Sequence, residues 1–208
     1  KKPTKDDTPP SGHPVMPGHY TVKVAYGQHE DTSSLTVKTD PRLDSDISAL
    51  EKQQALWKRH YQQLKLTTEI ADQMRMADKT IKLITSNARE SENPDWSTIP
   101  EHAAVLADSL KDMMGFIYQD ENQKGLIHDN RYLTQKAGLI SSYLSSLAPT
   151  QSPGKDHERL VDLYESELEK IAGRYNRFIA ESWPSFIQLL DEKRFSVIPQ
   201  FSEILIND

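Results

Sequence analysis

The 208-residue sequence contains no cysteine, which excludes disulfides, thiolate nucleophiles and cysteine-based zinc or iron–sulfur sites. Its eight glycines are scattered, so no phosphate-binding glycine loop and no nucleophile elbow of a serine hydrolase can be drawn through them. No apolar run approaches the ~20 residues that a membrane-spanning helix needs. The 25 basic and 31 acidic residues are interleaved rather than grouped. We therefore expect no nucleic-acid partner, no polybasic membrane anchor and no membrane span.

Histidines and carboxylates give no recognisable catalytic or metal-binding pattern. None of the seven histidines follows a glutamate by three residues, and the His-Glu-x-x-His pattern is absent. Two carboxylates on a cleft would suffice for a glycosidase, but charged side chains on helices are mostly solvated surface. We therefore predict no cofactor, no metal site and no catalytic residue, and we expect this chain not to be an enzyme by itself.

The hydrophobic pattern changes its period at residues 40–42, Asp-Pro-Arg. Before this point, residues 20–26 and 34–38 alternate as strands do, with Tyr20, Val22, Val24 and Tyr26 on one face. Residues 27–31 are polar and are predicted to connect the two strands. A lone two-stranded hairpin is marginally stable in water, so we expect its apolar face to need a partner.

After this point the apolar residues recur every three or four positions, as in amphipathic helices. A first helix is predicted over about residues 46–88, and a second is predicted to begin at a capping box formed by Thr98 and Glu101. Two more helices follow, and Pro184 should kink or break the last one. One side of the first helix is predicted to face the core, and we call its residues the stripe. The predicted stripe changes its phase once, after Ala71. Its residues are Ile47, Leu50, Gln54, Trp57, Tyr61, Leu64, Thr68 and Ala71, followed by Met74, Ala77, Ile81 and Ile84.

These patterns predict a mainly α fold, an antiparallel four-helix bundle preceded by a short β-hairpin that is the remnant of a small β-sandwich. We divide the chain into a flexible linker at residues 1–17, a hairpin or partial β-sandwich at 18–42, and a helical bundle at 43–208. The sequence opens Lys-Lys-Pro without a methionine or an apolar leader. We therefore expect a processed protein or an excised fragment.

Five residues form a candidate interaction surface. Each also has a packing alternative, because aromatic and methionine side chains at helical spacing often fill a core. For the histidine, the alternative places Trp57 and Tyr61 in the core with the imidazole at its edge, and their heptad spacing favours this alternative. The five are Trp96, Trp183, His60, Met113 and Met114.

Two segments on the N-terminal side of the change of period resemble part of a known class of proteins. Residues 17–24, PGHYTVKV, and residues 35–42, LTVKTDPR, resemble the C-terminal region of large bacterial BNR-repeat proteins. Those proteins are often labelled glycosyl hydrolases and carry a sortilin-like β-propeller. In that region two such strands close a small β-sandwich, and a helical tail follows that residues 126–147 resemble. The propeller's Ser-x-Asp-x-Gly-x-x-Trp signature is absent here, so the resemblance carries over no sugar-cleaving site.

The resemblance implies a non-catalytic C-terminal structural or interaction module of a larger secreted or periplasmic protein. Its expected partner is the upstream β-propeller or β-sandwich of that protein, with another protein or a second copy as further partners. Two alternatives stay open. One is a carboxylate-based glycoside hydrolase fragment, with its site in a groove between the helices and the hairpin. The other is a coiled-coil adaptor that self-associates through the first helix.

Overall fold

The computed structural model describes residues 15–43, 45–119 and 131–198. Within these residues the chain is mainly helical and carries a two-stranded antiparallel hairpin, as predicted. Most of the predicted linker at residues 1–17 lies outside the described residues. The elements are β1 (Gly18–Tyr26), β2 (His29–Val37), α1 (Ile47–Glu90), a 3₁₀ turn (Pro94–Trp96), α2 (Ile99–Ile117), α3 (Leu133–Ser145), α4 (Lys155–Arg177), a π turn (Phe178–Ser182) and α5 (Trp183–Glu192).

Contacts along the chain divide it into two compact units. Among the described residues, the first unit comprises residues up to 65 and 135–166, which include the hairpin and α3. The second unit comprises residues 66–134, which include α2, and residues from 167 onward, which include α5. Helices α1 and α4 contribute residues to both units. The predicted domain boundaries after residues 17 and 42 stay predictions.

The hairpin is longer and its turn tighter than the sequence indicated. Tyr26 pairs with His29, so that only Gly27 and Gln28 lie in the turn. Gly27 has a φ of +61°, the positive angle that a type II′ turn requires at its first central position. The predicted connection over residues 27–31 was wrong, because the polar residues after Gln28 belong to a strand that is exposed on both faces.

Asp46 fixes the start of α1. Its Oδ1 accepts hydrogen bonds from the backbone N–H groups of Ser48 (2.9 Å) and Ala49 (3.3 Å), as an N-cap carboxylate does. Apart from Ala71, the buried residues of the helix then fall into two series that each repeat every seven residues, the pattern of a coiled-coil seam. One series is Ala49, Leu56, Gln63, Ile70, Ala77 and Ile84, and the other is His60, Thr67, Met74, Ile81 and Ala88.

The predicted stripe of α1 was right in the second half of the helix and wrong in the first. Met74 and Ile81 are buried as predicted, whereas Trp57, Tyr61 and Leu64 are half-buried. In the first half the buried positions lie one residue earlier, and the predicted shift of phase does not exist. The prediction failed there because polar residues take seam positions beside larger apolar neighbours.

The start of α2 differs from the predicted capping box. Thr98 has helical backbone angles (φ −89°, ψ −15°) and its side chain makes no capping hydrogen bond, because a hydroxyl caps a helix from an extended residue. Pro100 does lie in the first turn, as expected. The preceding 3₁₀ turn is capped instead by Asn93, whose Oδ1 accepts from the N–H of Asp95 at 3.0 Å.

Pro184 ends α4 through a π turn, in agreement with the predicted break. The N–H of Trp183 donates to the carbonyl of Phe178, five residues back, and Pro184 then lies in the first turn of α5. A proline lacks the N–H of a regular helix and its ring crowds the carbonyl four residues earlier. The wider turn avoids both conflicts.

Candidate functional site

The hairpin carries an apolar face that the described residues leave largely open to water. The antiparallel register places Leu35 opposite Tyr20, on the same face as Val22, Val24 and Tyr26. We call these five residues the apolar face. Tyr20 is half-buried, but Val24 is 63% exposed and Tyr26 is 85% exposed. A cluster of exposed apolar side chains on one sheet face is typical of an interaction surface.

The opposite face of the hairpin is suited to water. Thr21, Lys23, Thr32 and Ser34 lie there, and Lys23 Nζ forms an ion pair with Glu30 at 2.7 Å. On the side of the apolar face, β2 contributes His29, Asp31 and Ser33 beside Leu35. The two sides therefore differ mainly along β1, where apolar and polar side chains alternate as on a sheet with one covered face. This difference indicates that the apolar face is built to be covered.

The stem of the hairpin encloses a small apolar cavity of about 210 Å³. Met16, Val37, Leu43, Leu50 and Trp57 line part of it. This volume is below the roughly 300 Å³ at which pockets for small organic ligands begin. We therefore do not assign a small-molecule site to this cavity.

Arg42 pairs with Asp40 directly after the stem. The guanidinium Nη2 lies 2.6 Å from Asp40 Oδ2. The side-chain hydrogen bond from Arg42, followed by the one from its backbone N–H, lowers the pKa of the Asp40 carboxyl. Two residues of the resembling LTVKTDPR segment therefore have a structural role in the connection to α1.

A polar cluster lies where α1, α3 and α4 meet in the first unit. His60 is fully buried; its Nε2 lies 3.1 Å from Ser141 Oγ, and the edge-to-face contact with Tyr164 has ring centroids 5.7 Å apart. One turn further along α1, Gln63 Nε2 donates to the carbonyl of Val161 at 3.2 Å. Burial lowers the pKa of His60, although hydrogen bonding to the Ala137 backbone and to Gln63 opposes this shift. The cluster holds three helices together and has no opening to a substrate.

The second unit has an open groove of about 610 Å³ between α2 and the end of α4. Its walls carry the carboxylates of Asp108, Asp112 and Glu181 and the guanidinium groups of Arg174 and Arg177. Arg174 pairs with Asp112 and lies over the ring of Phe116, 5.1 Å from its centroid. The groove therefore carries both carboxylates and cations, whereas glycoside hydrolysis depends on two carboxylates placed on either side of the scissile bond. The part of the chain that the structure describes also holds no cluster of three or more metal-ligating side chains.

Two of the five predicted interaction residues are buried and so are not part of an exposed surface. His60 belongs to the first unit and is fully buried, while Met113, in the second unit, is 3% exposed. Both are corrections to the predicted surface, and in both the side chain occupies the buried stripe of its helix. Met114, next in sequence, is half-buried.

The two tryptophans of the predicted surface are packed against neighbours in the second unit. Trp96 donates from Nε1 to the carbonyl of Lys193 at 3.0 Å, and its ring meets that of Phe195 with centroids 4.8 Å apart. Trp183 lies between Phe178 and Phe186, at centroid distances of 6.1 and 6.4 Å. Both tryptophans remain half-exposed, so a role in binding stays a prediction for them.

The candidate surface that sequence reasoning missed is the apolar face of the hairpin. The alternation of Tyr and Val along β1 was recognised as a face that needs a partner. The sequence allows either the helices or strands outside this chain as that partner. The polar residues of β2 that lie opposite β1 could have distinguished these two partners. They leave the turn end of the hairpin with little apolar area that could pack against the helices.

Comparison with known proteins returns no match: no protein-family model, no curated protein and no solved structure is significantly similar to this chain. The relationship to BNR-repeat and sortilin-like proteins therefore stays a prediction from residues 17–42. Across the described ranges, no helix combines the length and the apolar character that crossing a bilayer requires.

Proposed function

We propose that this chain is a non-catalytic structural or interaction module whose contact surface is the apolar face of the hairpin. The observation that carries the proposal is the exposure of Val24 and Tyr26 on a strand whose other face is polar and ion-paired. Exposed valine and tyrosine side chains on a sheet gain free energy when a partner removes them from water, at roughly 25 cal/mol per Å² of apolar area.

The resemblance to BNR-repeat proteins supports a partner within a larger protein. In this proposal the hairpin is the remnant of a small β-sandwich, and the upstream sandwich or propeller covers its apolar face. The helices would form an antiparallel four-helix bundle that supports the hairpin, and the protein would be secreted or periplasmic. The contacts of His60 with α3 and α4 support close helix packing within the first unit.

The two alternative functions have less support. A hydrolase would need two carboxylates placed on either side of a scissile bond, and in the groove one of the three carboxylates, Asp112, is paired with Arg174. A coiled-coil adaptor would need an exposed apolar stripe on α1. The exposed apolar residues of that helix, among them Ile47, Leu66 and Met76, lie at irregular spacing.

A double substitution tests whether the apolar face is a contact surface or part of the core. Val24→Thr with Tyr26→Thr keeps residues that favour strands and removes most of the exposed apolar area. We expect binding of the dye 1-anilinonaphthalene-8-sulfonate to fall, while the free energy of unfolding changes by less than about 0.5 kcal/mol, as for surface substitutions. Ala25→Thr, between them on the polar face, is the matched control and should change neither property. A loss of several kcal/mol would show that the face packs within this chain, and the proposal would fail.

A further inference from the structure

The two open edges of the hairpin present different residues. Because Tyr26 and His29 flank a two-residue turn, they form a hydrogen-bonded pair, and such pairs alternate with non-hydrogen-bonded ones along the ladder. The residues between these pairs direct their N–H and C=O groups outward. On β1 they are His19, Thr21, Lys23 and Ala25, and on β2 they are Glu30, Thr32, Ser34 and Thr36.

The edge of β2 is protected against strand addition. The outward N–H of Thr32 already donates to Asp31 Oδ1 at 2.8 Å, so a backbone donor in the middle of this edge is occupied. Glu30 and Asp31 also place two carboxylates on the strand. Charged side chains and occupied backbone groups are the means by which proteins block an edge.

The edge of β1 lacks this protection. Lys23 is its only Lys, Arg, Asp or Glu side chain, and its ammonium group is held by Glu30 of β2. This ion pair holds the ammonium group of Lys23 toward β2 and away from the outer edge of β1. The outward groups of Thr21, Lys23 and Ala25 are therefore accessible to a strand of suitable sequence.

We propose that a second copy of this chain adds its own β1 antiparallel to this edge, forming a four-stranded sheet about a two-fold axis at Val22. The inference deepens the proposed function, on which it rests, because the two apolar faces then join into one larger face. An isologous contact of this kind closes on itself and produces a dimer rather than a filament.

The length of β1 and the position of its lysine determine the register in which the two copies of β1 pair. Centring the pair on Val22 overlaps the whole of Gly18–Tyr26 and aligns the outward groups of both strands. Lys23 then lies opposite Thr21 of the second copy, and Tyr20 lies opposite its Val24. Moving the axis to Lys23 would place the two ammonium groups opposite each other, which is destabilising, and would shorten the overlap. Because Glu30 already pairs with Lys23, this register places no like charges directly opposite each other, and a copy of β1 can add to the edge along its full length.

A cysteine at the axis tests the geometry. In the proposed dimer the two Val22 residues form a non-hydrogen-bonded pair, with Cα atoms about 4.5 Å apart, within the range that a disulfide bridges. The chain has no other cysteine, so Val22→Cys should give a disulfide-linked dimer on mild oxidation. Ser33→Cys is the matched control, because Ser33 pairs directly with Val22 but lies on β2. Equal cross-linking of both variants, or none at position 22, would overturn the inference.

Charge substitutions at Thr21 test the register in the full chain. Thr21→Glu places a carboxylate opposite Lys23 of the second copy on both sides of the axis, and Thr21→Lys places like charges there. We expect the dimer dissociation constant, measured by analytical ultracentrifugation, to fall about fivefold with Glu and to rise about fivefold with Lys. Ser34→Glu and Ser34→Lys, on the paired residue of β2, should leave the dissociation constant unchanged.

The two proposals fail separately. A chain that stays monomeric at all concentrations, or one that responds equally at positions 21 and 34, contradicts the β1 edge as the site of assembly. Such a chain can still lose dye binding with Val24→Thr and Tyr26→Thr, and the apolar face then keeps its proposed role toward a different partner.

Discussion

The two halves of α1 belong to different units and are held by different interactions. In the first unit the seam places the polar side chains of His60 and Gln63 among α3 and α4, where both form hydrogen bonds. In the second unit the seam begins with the buried Thr67 and then continues through Ile70, Met74 and Ile81, which are buried and apolar. Buried polar groups stabilise less than apolar packing, but they favour one pairing of helices over others. We infer that hydrogen bonding selects the arrangement of the first unit, whereas apolar burial stabilises the second.

The largest expected effect lies in the apolar half of the helix. Ile81→Ala removes a side chain that is 2% exposed and should lower the free energy of unfolding by about 2–5 kcal/mol, because a cavity remains. Leu83→Ala, on the exposed side of the same turn at 54% exposure, is the control and should cost less than 1 kcal/mol. Urea denaturation of both variants measures the difference. Equal losses would remove the distinction between the buried and open sides of α1.

A smaller effect should distinguish the polar half by its dependence on pH. Burial lowers the pKa of His60 in the folded chain below the ordinary value of 6.5. As the pH falls through 6.5 the unfolded chain therefore gains more protons than the folded chain, and stability is lost. The loss from one such group is at most about 1.4 kcal/mol per pH unit.

The variant His60→Gln isolates this contribution from the other histidines. The groups that face His60 from α3 and α4, Ser141, Ala137 and Tyr164, carry no charge near neutral pH, so the imidazole itself is the expected source. We expect the free energy of unfolding of the parent chain to fall more between pH 7.5 and 5.5 than that of the variant. Parallel pH profiles would contradict a role for the buried imidazole.

The smallest expected effects compare the two helix starts. Asp46→Ala removes the two N-cap hydrogen bonds of α1 and should cost about 1 kcal/mol. Thr98→Ala at the start of α2 should cost less than about 0.5 kcal/mol, because its hydroxyl makes no capping bond. Thermal unfolding of both variants measures the difference. A larger loss at Thr98 would restore the capping box that the sequence suggested.

The sequence predicted the structure correctly at positions where a single physical effect determines the local conformation or burial. The apolar residues Met74 and Ile81 mark the seam without competition, and Pro184 cannot continue a regular helix. In the first half of α1 two rules compete, because Trp57 and Tyr61 are larger and more apolar than His60 and Gln63. Burial of the polar pair depends on Ser141 and the Val161 carbonyl, which are distant in sequence. Local pattern does not reveal such partners.

The candidate site shows the same limit. The alternation of β1 was enough to define an apolar face, but its exposure depends on what the rest of the chain places near it. The turn at Gly27 was also missed, since polar residues such as Glu30 and Asp31 resemble a loop until their pairing partners are known. Sequence therefore predicted the element and its faces, and the structure was needed to show which face and which edge remain open.

The π turn before Pro184 makes the end of this helical segment depend on residue number as well as residue type. The buried positions run through Ile171 and Tyr175 of α4 to Phe178, the first residue of the π turn, at spacings of four and three, and the next is Phe186 in α5. One residue adds about 100° of rotation in an α-helix. Phe178 and Phe186 are eight residues apart, so in an uninterrupted α-helix their side chains would point about 80° apart. The π turn accommodates one extra residue and so brings Phe186 back toward the stripe. Related sequences should therefore either keep the π turn before the proline or lack one residue of it, because both arrangements keep Phe186 in line with the stripe.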